Sequence, residues 1–250
     1  MPLFRHSRRS SVVRRTLAVL YSLIEEMMFG VKAAPEAVVF DNDGLLLDTE
    51  EAWTRAEQRL FAGLGRTFTI EHKRILIGSS RTMAAAKLEV LLERAGEGEA
   101  LMDELLALVM EEALAGVEPR PGARRLLERL SEAGMPLALA SNSEREFVQR
   151  TLGSAGLYPD GPFAAVVSAN DVEHPKPAPD IYLEACRLLG VSTADAVALE
   201  DSPIGVASAA AAGMFVIAVP YFAGTEVAGA SMQADSLGDA AVAQALGLEA

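Results

Sequence analysis

The chain has 250 residues, half of them hydrophobic and 23% charged, which excludes a disordered, fibrous or collagen-like protein. Its net charge of −13 is uneven: residues 1–24 hold five arginines and no acid, so the remainder is strongly acidic and repels polyanions, arguing against a nucleic-acid partner. A single cysteine, Cys186, excludes a disulfide framework, and three histidines without an H-E-x-x-H pair argue against a zinc hydrolase.

The Arg-rich start, the apolar run 16–24 and Glu25-Glu26 have the outline of a signal or transit peptide. The run is short and no small-residue cleavage site follows, so 1–35 is read as a poorly ordered extension, with Met27 and Met28 as alternative starts. The first strand is expected over 37–40. It ends in Asp41-Asn42-Asp43-Gly44, which fits either a ligand site beyond a strand's carboxyl end or the turn of a D-G hairpin. From Thr49 to Glu118 there is no strand pattern. Helices are expected at 50–62, 71–76, 81–95 and 99–115, with Leu88, Leu91 and Leu92 and then Leu101, Leu105, Leu108 and Val109 forming apolar stripes. Strands over 137–140, 164–167, 197–199 and 215–219 then alternate with helices over 123–133, 144–152, 180–189 and 203–212. The strands are continuously apolar, as in parallel sheets covered on both faces. This pattern predicts an α/β fold, a doubly wound parallel sheet, with a core of 36–48 and 119–250 and a four-helix insertion of 49–118. Residues 202–225 carry no charge, but Pro203, Gly205, Gly213 and Pro220 divide them into a helix and a strand, so no membrane span is expected.

Four acids fall at strand ends. Glu200-Asp201-Ser202-Pro203 is either a helix N-cap or a cation site, and Ser141-Asn142-Ser143 taken alone reads as an ordinary turn or cap. Lys176, one of only four lysines, lies among Pro175, Pro177 and Pro179. That stiff loop is either plain surface or a device that aims the lysine. Asp41, Asp43, Glu200 and Asp201 converging without a cation would be costly. Mg²⁺, a hard ion that prefers oxygen, would reconcile them, with Lys176 and Ser141 holding a phosphate.

At these residues the sequence resembles the haloacid dehalogenase superfamily of phosphotransferases, in its β-phosphoglucomutase-like subgroup. Four segments carry the likeness: F-D-N-D-G-L-L-L-D-T-E at 40–50, A-S-N-S at 140–143, Lys176 in H-P-K-P-A-P-D-I-Y, and L-E-D-S-P-I-G-V at 199–206. It spans about 36–225, and the insertion is similar to the family's small helical cap. The resemblance implies Asp41 as nucleophile and Asp43 as general acid and base. It implies Ser141, the Asn142 backbone and Lys176 around the phosphoryl oxygens. It also implies Mg²⁺ held by Asp41, the Asp43 carbonyl and Asp201, with Glu200 beside it or ligating. Dehalogenases and phosphonate-cleaving relatives lack the second Asp, so Asp43 argues against both. Mutases of the family carry a cap histidine where this chain has Trp53, and 48–53 resembles the D-S-E-x-x-W pattern of small-sugar phosphatases. Gly78-Ser79-Ser80-Arg81, however, resembles a loop with which mutases hold a second phosphate.

Glu50, Trp53 and Arg81 are expected as specificity residues, the last two facing Asp41 and Lys176. Core packing for Trp53 and a solvated helix start for Arg81 remain open. The Lys176–Pro177 bond is expected to be cis, as in some relatives. The implied protein is a cytoplasmic, monomeric, Mg²⁺-dependent phosphomonoester hydrolase for a small sugar or polyol phosphate, with no nucleic-acid or membrane partner. A sugar-phosphate mutase and a non-catalytic binding protein on the same fold are the alternatives.

Overall fold

A computed structural model describes residues 34–113, 116–222 and 224–249. The Arg-rich segment and the expected extension, apart from Ala34 and Pro35, lie outside the described residues. Strands β1 (Ala37–Phe40), β2 (Leu137–Ala140), β3 (Ala165–Val167), β4 (Ala196–Glu200), β5 (Phe215–Ala218) and β6 (Met232–Gln233) form one sheet in the order β3-β2-β1-β4-β5-β6. Every pairing is parallel. The winding reverses between β1 and β4, and ligands of such sheets bind beyond the carboxyl ends at that switch point.

Between β1 and β2 lie α1 (Glu50–Gly63), α2 (Ile70–Leu76), α3 (Arg81–Leu92) and α4 (Gly98–Ala113). Leu60, Phe61, Leu88, Leu92, Leu101, Leu105 and Val109 bury the stripes read from the sequence. Helix α3 stops at Leu92, short of the expected 95, because Glu93 turns left-handed at φ +56°. The chain leaves and rejoins the sheet through two paired segments. Asp48 N donates to Glu118 O at 2.8 Å, Arg120 N donates to Leu46 O at 2.9 Å, and Leu47 bridges Pro119 in antiparallel fashion. The hairpin reading of Asp43-Gly44 fails here: the Asn42 carbonyl accepts from Leu46 N and Leu47 N, so the chain folds into a tight loop instead of returning along β1.

Helices α5 (Ala123–Glu132), α6 (Arg145–Ser154), α7 (Asp180–Leu189) and α8 (Pro203–Ala211) cover the two faces of the sheet. Successive strand residues point to opposite sides. One side presents Phe40, Leu137, Leu139, Leu199 and Ile217 to α5 and α6. The other presents Ala37, Ala138, Ala140, Ala196, Ala198 and Ala218, leaving room for Ile181 and the fully buried Tyr182 of α7. Both β6 and α9 (Ala240–Ala245) are additions to the expected elements, at two and six residues too short to show a period. Residues 202–225 divide as expected: Ser202 caps α8, accepting from Gly205 N at 3.1 Å, and Pro203 follows in the first turn. No described helix is long and apolar enough to cross a membrane.

Candidate active site

Three adjacent strand ends and one loop build the site. β1 hands over to Asp41, β4 ends in Glu200 followed by Asp201, and β2 is followed by Ser141. Lys176, 3% exposed, reaches in from its proline loop. Its Nζ donates to Asp41 Oδ1 at 2.6 Å, Glu200 Oε1 at 2.6 Å and Ala140 O at 2.9 Å. The loop is clamped by the Asn142 side chain, whose Oδ1 accepts from Lys176 N at 2.8 Å while its Nδ2 donates to Lys176 O at 3.1 Å. The Lys176–Pro177 bond is cis, as expected, and Tyr158–Pro159 is a second cis bond. Glu200 is fully engaged. Its Oε1 also accepts from Tyr182 Oη at 2.7 Å, and its Oε2 accepts from Asp201 N, Ser202 N and Ser202 Oγ. Asp43 Oδ2 accepts from the Ser141 and Ser143 hydroxyls, each at 2.8 Å, so Ser143 joins the residues read from the sequence. Gly44 is required between these groups: its φ is +85°, and a Cβ there would lie 2.4 Å from Asp201 Oδ2.

Charge explains what this cluster lacks. Asp41, Glu200 and Asp201 each offer an oxygen within 4.8 Å of the others. Burial pushes the Asp41 carboxyl up; Lys176 opposes the shift, while Glu200 and Asp43 add to it. Burial likewise raises Asp201, with Asp41 and Glu200 adding to it. Burial also works against the Lys176 ammonium, but Asp41 and Glu200 outweigh it and hold its proton above the ordinary lysine range. One lysine against Asp41, Asp43, Glu200 and Asp201 leaves a net negative hole, and Asp41 Oδ2 is buried with no hydrogen-bond partner. An all-oxygen donor set, surplus negative charge and an orphaned acceptor fit a hard divalent cation such as Mg²⁺.

The inserted helices close the site from above, leaving a cavity of about 100 Å³. Asp41, Asp43, Lys176 and Asp201 form its floor, and Glu50, Trp53, Lys73 and Arg81 are among its inserted-helix lining. The Trp53 ring meets Phe147 of α6 edge-on at 5.7 Å, so it both lines the cavity and joins the insertion to the core. Gly78 lies against the core: a Cβ on it would come 3.1 Å from Ser202 Cβ. Glu50 is buried and paired with Lys73 at 2.5 Å; Lys73 in turn meets Glu57 at 3.2 Å. Burial raises both carboxyls, Glu57 to about 7. Arg81 lines the cavity as expected, yet each guanidinium nitrogen faces an acid: Glu99 at 3.2 Å, Asp103 at 2.5 Å and Glu144 of the core at 2.9 Å. The solvated-helix-start reading of Arg81 is therefore replaced by a bridge between insertion and core. Lys73 and Glu57 were not read as site residues. The one signal was the scarcity of lysine, since their pairing joins two helices.

A family model described as haloacid dehalogenase-like hydrolase matches residues 38–219. Hexitol phosphatase B of Escherichia coli (strain K12) is 32% identical over 188 residues, covering 74% of this chain and 83% of that protein. (DL)-glycerol-3-phosphatase 1, mitochondrial, of Arabidopsis thaliana is 35% identical over 193 residues, covering 73% of this chain and 63% of that one. Among solved structures, a mutant of CbbY from Rhodobacter sphaeroides in complex with xylulose-(1,5)bisphosphate superposes with a TM-score of 0.71 at 29% identity, covering 82% of this chain and 96% of the other.

Proposed function

This chain belongs to the haloacid dehalogenase-like hydrolase family, and from that membership and the site's chemistry we propose a Mg²⁺-dependent phosphomonoester hydrolase that works through an aspartyl-phosphate on a small sugar or polyol phosphate. The observation that carries the reading is Asp41. It lies just beyond the central strand, with one oxygen clamped by Lys176 and the other unbonded. A carboxylate so held can attack phosphorus in a single orientation. An Asp41 oxygen forms the new O–P bond as the bond to the leaving alcohol breaks, and Asp43 delivers a proton to the departing oxygen. Water then attacks the phosphorus of the acyl phosphate, Asp43 takes the water's proton, and Asp41 and inorganic phosphate are released. Ser141 and the Asn142 backbone hold the phosphoryl oxygens, and Lys176, whose three N–H groups bond Asp41, Glu200 and the Ala140 carbonyl, adds positive charge beside them. Glu200 serves mainly by fixing Lys176, because its own oxygens are already occupied. A divalent cation held by Asp41, Asp201 and the Asp43 carbonyl, with Glu200 alongside, would offset the phosphate's charge so that an anionic nucleophile can approach.

Relatives named as hexitol and glycerol-3-phosphatases support a sugar or polyol phosphate as the substrate class. The cavity of about 100 Å³ is smaller than the roughly 300 Å³ or more of small-molecule sites, so residues 49–118 act as a cap that opens to admit substrate.

The test is phosphate release from p-nitrophenyl phosphate and a panel of sugar and polyol phosphates. Turnover is expected with Mg²⁺, lost with EDTA and restored by added Mg²⁺. Asp41→Asn should lower kcat on the order of 10⁴-fold, as for other covalent nucleophiles. Residual activity within about tenfold of the parent would rule Asp41 out as the nucleophile.

A further inference from the structure

The wall supplied by the inserted helices is unbalanced between donors and acceptors. Lys73 Nζ is occupied by Glu50 Oε2, Glu57 Oε2 and, at 3.5 Å, the Glu50 carbonyl. Every nitrogen of Arg81 already faces a carboxylate. The two cations of this wall are thus each paired with acids before any ligand arrives. Its acceptors are less fully paired. Glu50 is 5% exposed and lines the cavity; Lys73 holds its Oε2, and among the described residues no hydrogen bond reaches its Oε1. Three carboxylates, Glu50, Glu57 and Glu144, line the cavity beside these two cations, and Glu99 and Asp103, outside it, hold two of the Arg81 nitrogens.

A second phosphate or a carboxylate on the leaving group would bring acceptors and negative charge to a wall that has spare acceptors and negative charge of its own. It would meet an Arg81 whose charge is already shared among three acids. A hydroxyl group brings what the wall lacks. We propose that this wall reads the leaving alcohol: Glu50, braced by Lys73, accepts a hydrogen bond from a hydroxyl, and the site selects uncharged, hydroxylated leaving groups while disfavouring those with a second phosphate or a carboxylate. The inference rests on the phosphatase reading and sharpens it, because it separates this chain from a CbbY that binds a bisphosphate. An uncompensated charge in a closed site discriminates more strongly than a missing methylene does.

The experiment compares matched pairs that differ only at the leaving-group end: glycerol 3-phosphate against 3-phosphoglycerate, and fructose 6-phosphate against fructose 1,6-bisphosphate. Phosphate release with Mg²⁺ should favour the uncharged member of each pair by about tenfold or more in kcat/KM. Calorimetric binding to Asp41→Asn should rank them in the same order. Replacing Glu99 by Gln and Asp103 by Asn together changes exposed helix positions and frees two Arg81 nitrogens; the ratio should then fall by about threefold or more. Glu50→Gln should lower the ratio as well. Equal or better turnover of the anionic members, with that preference lost in Arg81→Ala, would make Arg81 an anion holder and overturn the proposal. Absence of release from every ester offered, p-nitrophenyl phosphate included, would overturn the phosphatase reading and this proposal with it.

Discussion

Lys176 and Lys73 are built alike and placed differently. Each is buried, each lies between two carboxylates, and both line the same cavity. Lys176 has partners on two neighbouring strand ends and a backbone clamped by Asn142. Lys73 sits on α2, and both of its partners lie on α1, two turns apart. The first trio is fixed to the sheet and adjoins further acids, Asp43 and Asp201, so it is left with surplus negative charge. The second is confined to the cap and pins one helix to another. On the proposed reading, the same three charges act as reaction machinery where the sheet holds them, and as bracing and recognition where only helices do.

The largest effect should come from breaking the first trio. Lys176→Ala leaves Asp41 and Glu200 buried without their cation, a change typically costing about 3–5 kcal/mol. Phosphate release should fall by about 10³-fold or more, and the unfolding midpoint in urea should drop in parallel. Lys73→Met tests the second trio. Stability should fall by about 3 kcal/mol while kcat changes much less than KM. Adding Glu57→Gln should recover part of that loss, whereas nothing comparable should rescue Lys176→Ala. If Lys73→Met lowers kcat as steeply as Lys176→Ala does, the division of labour between the trios is wrong.

The smallest effect concerns pH. Glu57 is raised by burial to about 7, above its ordinary value of 4.5. Between those values the folded protein keeps a proton that the unfolded chain has lost. Stability associated with this group is therefore present at low pH and disappears as pH rises from about 4.5 to about 7. The shift corresponds to on the order of 3 kcal/mol, part of which Gln forfeits with the bond to Lys73. Relative to the parent, Glu57→Gln should gain about 1–2 kcal/mol between pH 5 and pH 8, read from thermal or urea unfolding at each pH. A constant difference across that range would show that Glu57 does not have the raised value assigned to it.

The sheet and the first trio were legible because their information is local. Asp41, Asp43, Ser141, Glu200 and Asp201 fall at or just beyond apolar runs, where strand direction alone places them together, and Lys176 is marked by its prolines. The second trio was only half legible. Glu50 could be singled out by resemblance, but Lys73 and Glu57 carry no local mark, and their meeting depends on how α1 and α2 pack. Arg81 illustrates the same limit: its position was foreseen, but its three partners come from α4 and from the start of α6, beyond what helix periodicity encodes. The strand β6 and helix α9 were missed because two and six residues are too few for a period to register.

The paired segments at Leu46–Asp48 and Glu118–Arg120 carry a consequence for how such a protein can change. The insertion starts and finishes at neighbouring points joined by backbone hydrogen bonds. To the sheet, the whole of 49–118 is topologically a turn. Lengthening, shortening or exchanging what hangs there adds only slowly to loop-closure entropy and leaves strand register and the floor residues where they are. On the proposed reading, the fold keeps its reacting groups on the sheet and its choice of substrate on the insertion, so the insertion can be exchanged without re-solving the problem of aiming Asp41.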